Sequence, residues 1–179
     1  IAALTPAFNG ISYDRLESGG IQWPCGCSDD PGTAILHCDT FTRGKGKLMP
    51  LHYRTSAELP DKEYPFLLTT GRSLFHYHTG TMTRKVNGLN KFKGEEFIEI
   101  NPVDAKKLNI VDGEYVKISS RRGSIQVRVK VTGRNPEGVV YMTFHFKESP
   151  ANALTSTALD PISKTPELKV CAVRIDKNV

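Results

Sequence analysis

The clearest hydrophobic pattern in the chain lies between residues 124 and 132. Isoleucine and valine occupy every second position of SIQVRVKVT, and glutamine, arginine and lysine fill the positions between them. Successive side chains of a strand point to opposite faces of the sheet, so this alternation predicts a strand with one buried face. A half-buried strand of this kind is typical of antiparallel sheets.

Other short apolar runs predict further strands, five or six in all. These runs are YPFLLTT (64–70), EEFIEINP (95–102), EYVKISS (114–120), VVYMTF (139–144) and CAVRI (171–175). VDAKKLNI (103–110) has apolar residues at nearly helical spacing, enough for a two-turn helix. Turn residues such as Asp112-Gly113 and Asn135-Pro136-Glu137-Gly138 separate the runs. We therefore expect a mainly β fold, a small closed or nearly closed barrel with one or two short helices.

Residues 1–60 have a different texture. Prolines and glycines recur through this stretch and hydrophobic periodicity is weak. We expect residues 1–60 to be an irregular linker or wrapping segment from a preceding domain, and residues 61–179 to form the barrel domain. A structureless stretch of this length is unusual inside a compact domain, so we expect it to pack on a surface outside this chain. Because the first residue is Ile1 and not methionine, we expect either a fragment of a longer protein or a processed chain.

The net charge and the length of the apolar runs limit the classes of binding partner that we expect. The 179 residues carry a formal net charge of +5, which favours an anion such as nucleic acid, a phosphorylated cofactor or an acidic substrate. A mildly basic solvated surface is the alternative. The basic stretches lack the interleaved aromatics of an RNA-binding sheet, so we expect no nucleic-acid partner. No apolar run approaches the roughly 18 residues of a membrane span, so we expect no membrane insertion.

The cysteine pattern indicates a reducing compartment and does not indicate a metal site. Cys25, Cys27 and Cys38, together with His37, follow the pattern C-x-C-x9-H-C, whereas zinc sites usually have two to four residues between paired cysteines. We therefore expect these cysteines and Cys171 to be free thiols in a reducing compartment. This predicts a cytoplasmic protein; a periplasmic location stays open because the true N-terminus is not in this chain.

Candidate chemistry concentrates in TTGRSLFHYHTGTMTR (69–84). The stretch holds two histidines, two arginines and five threonines but no acidic residue. Glycine lets backbone amides approach a ligand, arginine can grip a phosphate with two donors, and hydroxyls both donate and accept. This mixture suits a nucleotide diphosphate with a flat base. The alternative is a solvated loop whose hydroxyls bond to its own backbone.

Other motifs favour ordinary structure. His76 and His78 share a face if they lie in a strand, but without a third ligand nearby we expect no metal site. Arg121-Arg122-Gly123-Ser124 predicts a charged hairpin turn; the alternative is a Gly-Ser cleavage site like that of pyruvoyl-dependent decarboxylases. P-loop and G-x-G-x-x-G motifs are absent, and no catalytic triad stands out.

Several ordered motifs resemble one family. TTGRSLFHYHTGTMTR resembles the T-G-R-x-L-x-H-W/Y-H-T-G-x-M-T-R segment of molybdopterin oxidoreductases of the DMSO reductase family, specifically periplasmic nitrate reductases and formate dehydrogenases. INPVDAKKLNIVDGEYVKISSRRGSIQVRVKVTGRNPEGVVYMTFHF and NALTSTALDPISKTPELKVCAVRI are similar to the later segments of the same families. Upstream, GISYDRLESGGIQWPC resembles the formate dehydrogenase α subunit.

The resemblance implies a fold and a role. The chain would be the C-terminal molybdopterin dinucleotide-binding domain of a catalytic subunit, folded as a six-stranded double-psi β-barrel. The intact subunit would carry molybdenum or tungsten on two molybdopterin guanine dinucleotides, with an iron–sulfur cluster in its absent N-terminal part. Its partners would be the remaining domains of the same subunit and an electron-transfer subunit.

The matching positions also imply site residues. The expected cofactor contacts are Thr70, Gly71, Arg72, Ser73, Leu74, Phe75, His76, Tyr77, His78, Thr79, Thr81, Thr83, Asn152 and Lys169. Phe144 and His145 fall where the family lines its substrate channel. The metal-ligating cysteine or selenocysteine and the C-x2-C-x3-C cluster motif are not in this chain, so the fragment has no catalytic residue of its own and should be inactive alone.

Three functional hypotheses remain. The first is a domain of a formate dehydrogenase that oxidises formate to carbon dioxide. The second is the same domain of a nitrate reductase. The third is a stand-alone barrel, like the small subunits of formylmethanofuran dehydrogenase.

Overall fold

The computed structural model describes residues 1–41 and 43–177. Six strands form a closed barrel: β1 (Phe66–Gly71), β2 (Phe97–Ile100), β3 (Tyr115–Ser119), β4 (Ser124–Val131), β5 (Val139–Thr143) and β6 (Cys171–Lys177). Each strand coincides with one of the six apolar runs of the sequence. The prediction of a mainly β, six-stranded barrel is therefore confirmed.

The order of strands around the barrel is β1-β5-β2-β4-β3-β6. β1 runs parallel to β5, and β2 runs parallel to β4. The pairs β1–β6, β2–β5, β3–β4 and β3–β6 are antiparallel. The expected antiparallel character of β4 thus holds only towards β3, because the strand is parallel to β2 on its other side.

The barrel interior is the hydrophobic core. In β4, Ile125, Val127 and Val129 are buried while Gln126 and Lys130 are exposed, as the alternation predicted. The fully buried side chains of the five other strands include Leu68, Ile98, Ile118, Met142 and Val173. Burial of each such side chain typically contributes roughly 1.5–3 kcal/mol to folding stability. The barrel interior therefore supplies most of the buried apolar area that stabilises this unit.

Short helices connect the strands. α2 (Asn87–Phe92) precedes β2, and α3 (Pro102–Lys107) follows it. α3 begins where the Asn101 side chain accepts a hydrogen bond from the Val103 amide at 2.9 Å, with Pro102 in the first turn. The predicted two-turn helix at 103–110 is present, although it starts one residue earlier and ends at Lys107.

The chain divides into two compact units, Ile1–Tyr53 and Arg54–Val179. The first unit holds two 3-10 turns and α1 (Tyr13–Leu16), and otherwise lacks regular helices and strands in its described residues. The expected division at residue 60 into a linker and a barrel domain stays a prediction. Among the described residues, no helix is long and apolar enough to cross a membrane.

Gly71, the last residue of β1, faces the ring of Tyr141 on the neighbouring strand. A Cβ atom built on Gly71 would lie 2.6 Å from Cε2 of Tyr141 and closer still to its hydroxyl oxygen. Such a contact forces β1 and β5 apart. We predict that Gly71→Ala lowers the free energy of unfolding by about 1–3 kcal/mol.

Gly133→Ala is the matched control, because a Cβ atom there meets nothing within 4 Å. Urea unfolding of both variants, followed by circular dichroism, checks the prediction. Equal midpoints for the two variants would show that the Gly71–Tyr141 contact does not constrain the barrel.

Candidate functional site

The loop of residues 72–83 leaves the barrel at the end of β1. Gly71 of β1 pairs with Thr143 of β5 in a parallel register, so both strands end at the same edge of the barrel. Residues 72–83 and residues 144–154 therefore emerge side by side. This edge brings together most of the predicted cofactor contacts.

Arg72 is the exposed cation at the start of this loop. Its carbonyl oxygen accepts a hydrogen bond from the Tyr141 hydroxyl at 3.3 Å, which holds the backbone beside β5. Its guanidinium carbon lies 5.4 Å from the ring centroid of Phe144, within cation–π range. No carboxylate within the described residues forms an ion pair with Arg72. Its donors therefore remain open to an anion.

His145 lies beneath the loop and is fully buried. Its Nε2 atom accepts a hydrogen bond from the Ser73 amide at 2.8 Å, and its Nδ1 atom donates to the carbonyl oxygen of His78. Burial lowers the pKa of the imidazole below its ordinary value of 6.5. The ring is therefore neutral at neutral pH, with its proton on Nδ1.

His76 is also buried, and both of its ring nitrogens have protein partners. Nε2 lies 2.6 Å from the carbonyl oxygen of Lys93, so this nitrogen donates. Nδ1 lies 3.2 Å from the Thr83 hydroxyl, which also accepts from the Tyr77 amide at 3.1 Å. The side chains of His76 and Thr83 therefore maintain the shape of the loop.

The outer surface of the loop is formed by other residues. Leu74 is 94% exposed and Tyr77 is 62% exposed. The hydroxyls of Thr79 and Thr81 are exposed and lie 2.7 Å apart. Phe75 stacks on a phenylalanine of α2 with a centroid distance of 5.1 Å and an interplanar angle of 10°. The surface thus offers apolar and aromatic faces beside hydroxyl donors.

Asn152 shares a cavity with the loop. It sits in a 3-10 turn, Ala151–Ala153, and its side chain is exposed. The cavity has a volume of about 170 Å³ and is lined by Thr79, by residues 144–147 and by residues 150–152. The structure therefore places Asn152, Phe144 and His145 next to the predicted loop, although they lie more than 60 residues from it in sequence.

Lys169 reaches the other end of the loop. Its ammonium group donates to the carbonyl oxygen of Thr70, and the Thr70 hydroxyl donates to the Leu168 carbonyl oxygen at 2.7 Å. Lys169 itself is exposed, and an ammonium group has three donors, so two remain for a ligand.

Two carboxylates near the loop were missed by sequence reasoning. Glu148 pairs with Arg84, with Nη1 to Oε2 at 2.9 Å and Nη2 to Oε1 at 3.1 Å. Glu96 is buried, where Thr143 donates to its Oε2 and the Lys93 ammonium lies 3.5 Å from its Oε1. Burial raises the pKa of the Glu96 carboxyl. Residues 69–84 contain no acidic residue, but in the structure the carboxylate of Glu148 neutralises the charge of Arg84.

The remaining sequence candidates show no assembled site. The four cysteines are free, and no group of three or more histidine, cysteine, aspartate or glutamate side chains within the described residues could hold a metal ion. Arg121 and Arg122 lie in the β3–β4 turn and pair with Glu58 at 2.6 Å and 2.8 Å respectively. Ser124 begins β4. This is the geometry of a charged hairpin turn.

Comparisons with known proteins agree with these features. Residues 66–172 match the sequence model of the family described as "Molydopterin dinucleotide binding domain". The chain is 54% identical, over 99% of its length, to the F420-dependent formate dehydrogenase subunit alpha of Methanocaldococcus jannaschii, of which it covers 27%. It is 43% identical, over 94% of its length, to the assimilatory nitrate reductase catalytic subunit of Bacillus subtilis, of which it covers 24%. The chain thus spans about a quarter of these relatives.

A solved structure shows the same fold. Acetylene hydratase from Pelobacter acetylenicus superposes with a TM-score of 0.57 at 19% identity, over 65% of this chain and 19% of that one. With the closed six-stranded order and its two parallel pairs, this confirms the predicted double-psi β-barrel. The assignment of individual cofactor contacts stays a prediction.

Glu96 gives a prediction about pH and stability. A carboxyl whose pKa is raised on folding adds stability below its ordinary value of 4.5, and this stability is lost as the pH rises through the folded-state pKa. We predict that Glu96→Gln becomes more stable relative to the wild type as the pH rises from about 4.5 to about 7.

Urea midpoints of the two proteins across this pH range provide the measurement. Glu95→Gln is the control, because Glu95 is exposed and pairs with Arg128 at the surface. A constant difference between Glu96→Gln and the wild type at all pH values would contradict the assigned burial effect.

Proposed function

This chain belongs to the family of molydopterin dinucleotide binding domains, and from that membership we propose that residues 70–79, Thr81, Thr83, Asn152 and Lys169 hold a molybdopterin guanine dinucleotide. The observation that carries the proposal is that the predicted contact residues come together in the folded chain. Three segments that are distant in sequence meet at the barrel edge where β1 and β5 end.

The chemistry of the edge suits the cofactor. A pyrophosphate needs cations and N–H donors without a competing carboxylate, and Arg72 and Lys169 offer open donors there. A planar base or pterin needs a flat partner and a group that both donates and accepts. Tyr77 supplies an exposed ring, and the amide of Asn152 supplies one donor and one acceptor group.

We further propose that the intact parent is the catalytic subunit of a formate dehydrogenase, which converts formate to carbon dioxide with release of two electrons. Identity to F420-dependent formate dehydrogenase α subunits, at 54%, 50% and 47%, exceeds that to nitrate reductases, at 43% and 38%. The cofactor, with molybdenum or tungsten, supplies the two-electron chemistry when bound. This domain contributes binding and orientation.

The same relatives suggest the partners. We propose that the electrons leave through an iron–sulfur cluster in the N-terminal part of the parent and then through an electron-transfer subunit to F420, which the relatives' names specify. We propose a cytoplasmic location. The stand-alone barrel hypothesis gains no support from relatives of which this chain is only about a quarter.

Nitrate reduction is the second candidate. The assimilatory nitrate reductase of Bacillus subtilis matches 94% of the chain at 43% identity, so the cofactor edge alone does not distinguish the two substrates.

Loss of the cofactor contacts tests the binding proposal. In the full-length parent, Asn152→Ala and Lys169→Ala should each lower cofactor retention several-fold, because each removes a donor of roughly 1–2 kcal/mol to the bound molecule. Metal content and pterin fluorescence of the purified proteins report retention. Lys130→Ala is the control, since Lys130 is exposed on β4. Wild-type retention in both test variants would refute the site assignment.

Activity of the intact parent tests the substrate. We expect formate-dependent reduction of F420 and no nitrate-dependent oxidation of reduced viologen. The opposite pair of results would establish the nitrate reductase alternative and leave the binding proposal intact.

A further inference from the structure

We propose that His145 is a positioning residue that fixes the backbone of the 72–83 loop from below, in a form that only its neutral imidazole can maintain. The family resemblance places this residue at the substrate channel. In the structure its ring is fully buried and its two nitrogens are bonded to the loop. It therefore acts through the loop and not by touching a substrate.

The two hydrogen bonds from His145 hold the loop at Ser73 and at His78. Ser73 follows Arg72, the open cation, and His78 precedes Thr79, which lines the cavity shared with Asn152. His78 has a positive φ of 46°, a conformation that costs free energy for a residue with a side chain. The bond from Nδ1 to the His78 carbonyl oxygen offsets this cost.

The arrangement has a strict donor and acceptor order. The Ser73 amide can only donate, so Nε2 must keep a lone pair. The His78 carbonyl oxygen can only accept, so Nδ1 must carry the proton. An imidazolium has a proton on both nitrogens and would set an N–H against the Ser73 N–H. Protonation therefore breaks the bond to Ser73 and frees the part of the loop next to Arg72.

Packing leaves little room for the ring to move. The His145 carbonyl oxygen lies 2.9 Å from the position where a Cβ on Gly80 would be, so the loop closes directly over this residue. The ring also contacts Phe144 and Phe146, with centroid distances of 5.1 Å and 6.5 Å. When the hydrogen bond to Ser73 is lost, we therefore expect the loop to move and the His145 ring to stay in place.

The surroundings of the ring disfavour its charged form. Burial is the largest cause of the lowered pKa; the hydrogen bond to the His78 carbonyl oxygen acts in the opposite direction, and His76, Arg72 and Lys93 add to the lowering. Lys147 lines the same cavity. Because the folded-state pKa is lowered, this contribution to stability is present above the ordinary value of 6.5 and is lost as the pH falls from 6.5 through the folded-state pKa.

The test measures the loop directly and the cofactor separately, in the full-length parent. Hydrogen exchange, followed by mass spectrometry on a peptide covering residues 72–80, reports the loop in the cofactor-stripped protein. Release of pterin, followed by fluorescence, reports the cofactor in the loaded protein. Both are measured at about pH 7.5 and about pH 5.5.

The variants are His145→Phe, which keeps the ring volume without either hydrogen bond, and His145→Gln, which has an uncharged amide. His52→Gln controls for an exposed histidine.

In the wild type and in His52→Gln, we expect exchange in this peptide to rise as the pH falls, after correction for the intrinsic pH dependence of exchange. In His145→Phe, exchange at about pH 7.5 should rise roughly three- to tenfold and should no longer depend on the pH. His145→Gln should lie between these two at the higher pH and should also lack the corrected pH dependence. A merely structural role would produce the first change without abolishing the pH dependence.

Wild-type exchange in His145→Phe, or a pH dependence that persists in both variants, would overturn the proposal. The cofactor measurement rests on the proposed function and can fail by itself. Increased exchange with unchanged pterin release would support the positioning role of His145 and contradict the assignment of this loop to the cofactor.

Discussion

The parallel pairing of β1 with β5, in register from Leu67–Val139 to Gly71–Thr143, is the constraint on which the candidate site depends. Parallel strands end at the same edge, so the segments that follow them emerge together. β6 runs antiparallel to β1 and begins beside Leu68, so the residues just before it pass the same edge. One end of β1 thus assembles three segments from distant parts of the chain, and the close contact of Gly71 with Tyr141 maintains the spacing.

The residues at this edge divide into two groups with different physical roles. His76, Thr83 and His145 use their polar atoms on partners within the protein: Thr83 and His145 bond to the loop, and His76 bonds both to Thr83 and to the Lys93 carbonyl oxygen outside it. Arg72 and Lys169 present open donors to solvent, as does one of the two hydroxyls of Thr79 and Thr81, which are bonded to each other. The first group removes the conformational freedom of a polar loop before any ligand binds, which lowers the entropic cost of binding. The second group can then act on an anionic, flat molecule.

The sequence predicted the six strands because each has a short apolar run with alternation or a clear terminal turn, and these patterns depend on local geometry. It also drew attention to the loop, because the stretch is rich in donors and contains no acidic residue. It did not predict the parallel partners of β1 and β4, since strand order is set by packing across the whole barrel. Nor did it separate the loop residues that are exposed from those, such as His76 and Thr83, that hold the loop together. Glu96 was missed because a polar residue before a strand looks like an ordinary surface residue until its burial is known.

The family membership and the geometry support a single account, in which a rigid barrel edge holds a dinucleotide for chemistry carried out elsewhere in a larger subunit. An experimental structure of the full-length parent with its cofactor bound tests this claim most directly. The account predicts that the phosphates and the flat rings of the dinucleotide contact Arg72, Tyr77, Thr79, Asn152 and Lys169 at the edge where β1 and β5 end. A dinucleotide bound at the opposite edge of the barrel, or on its outer wall, would contradict it.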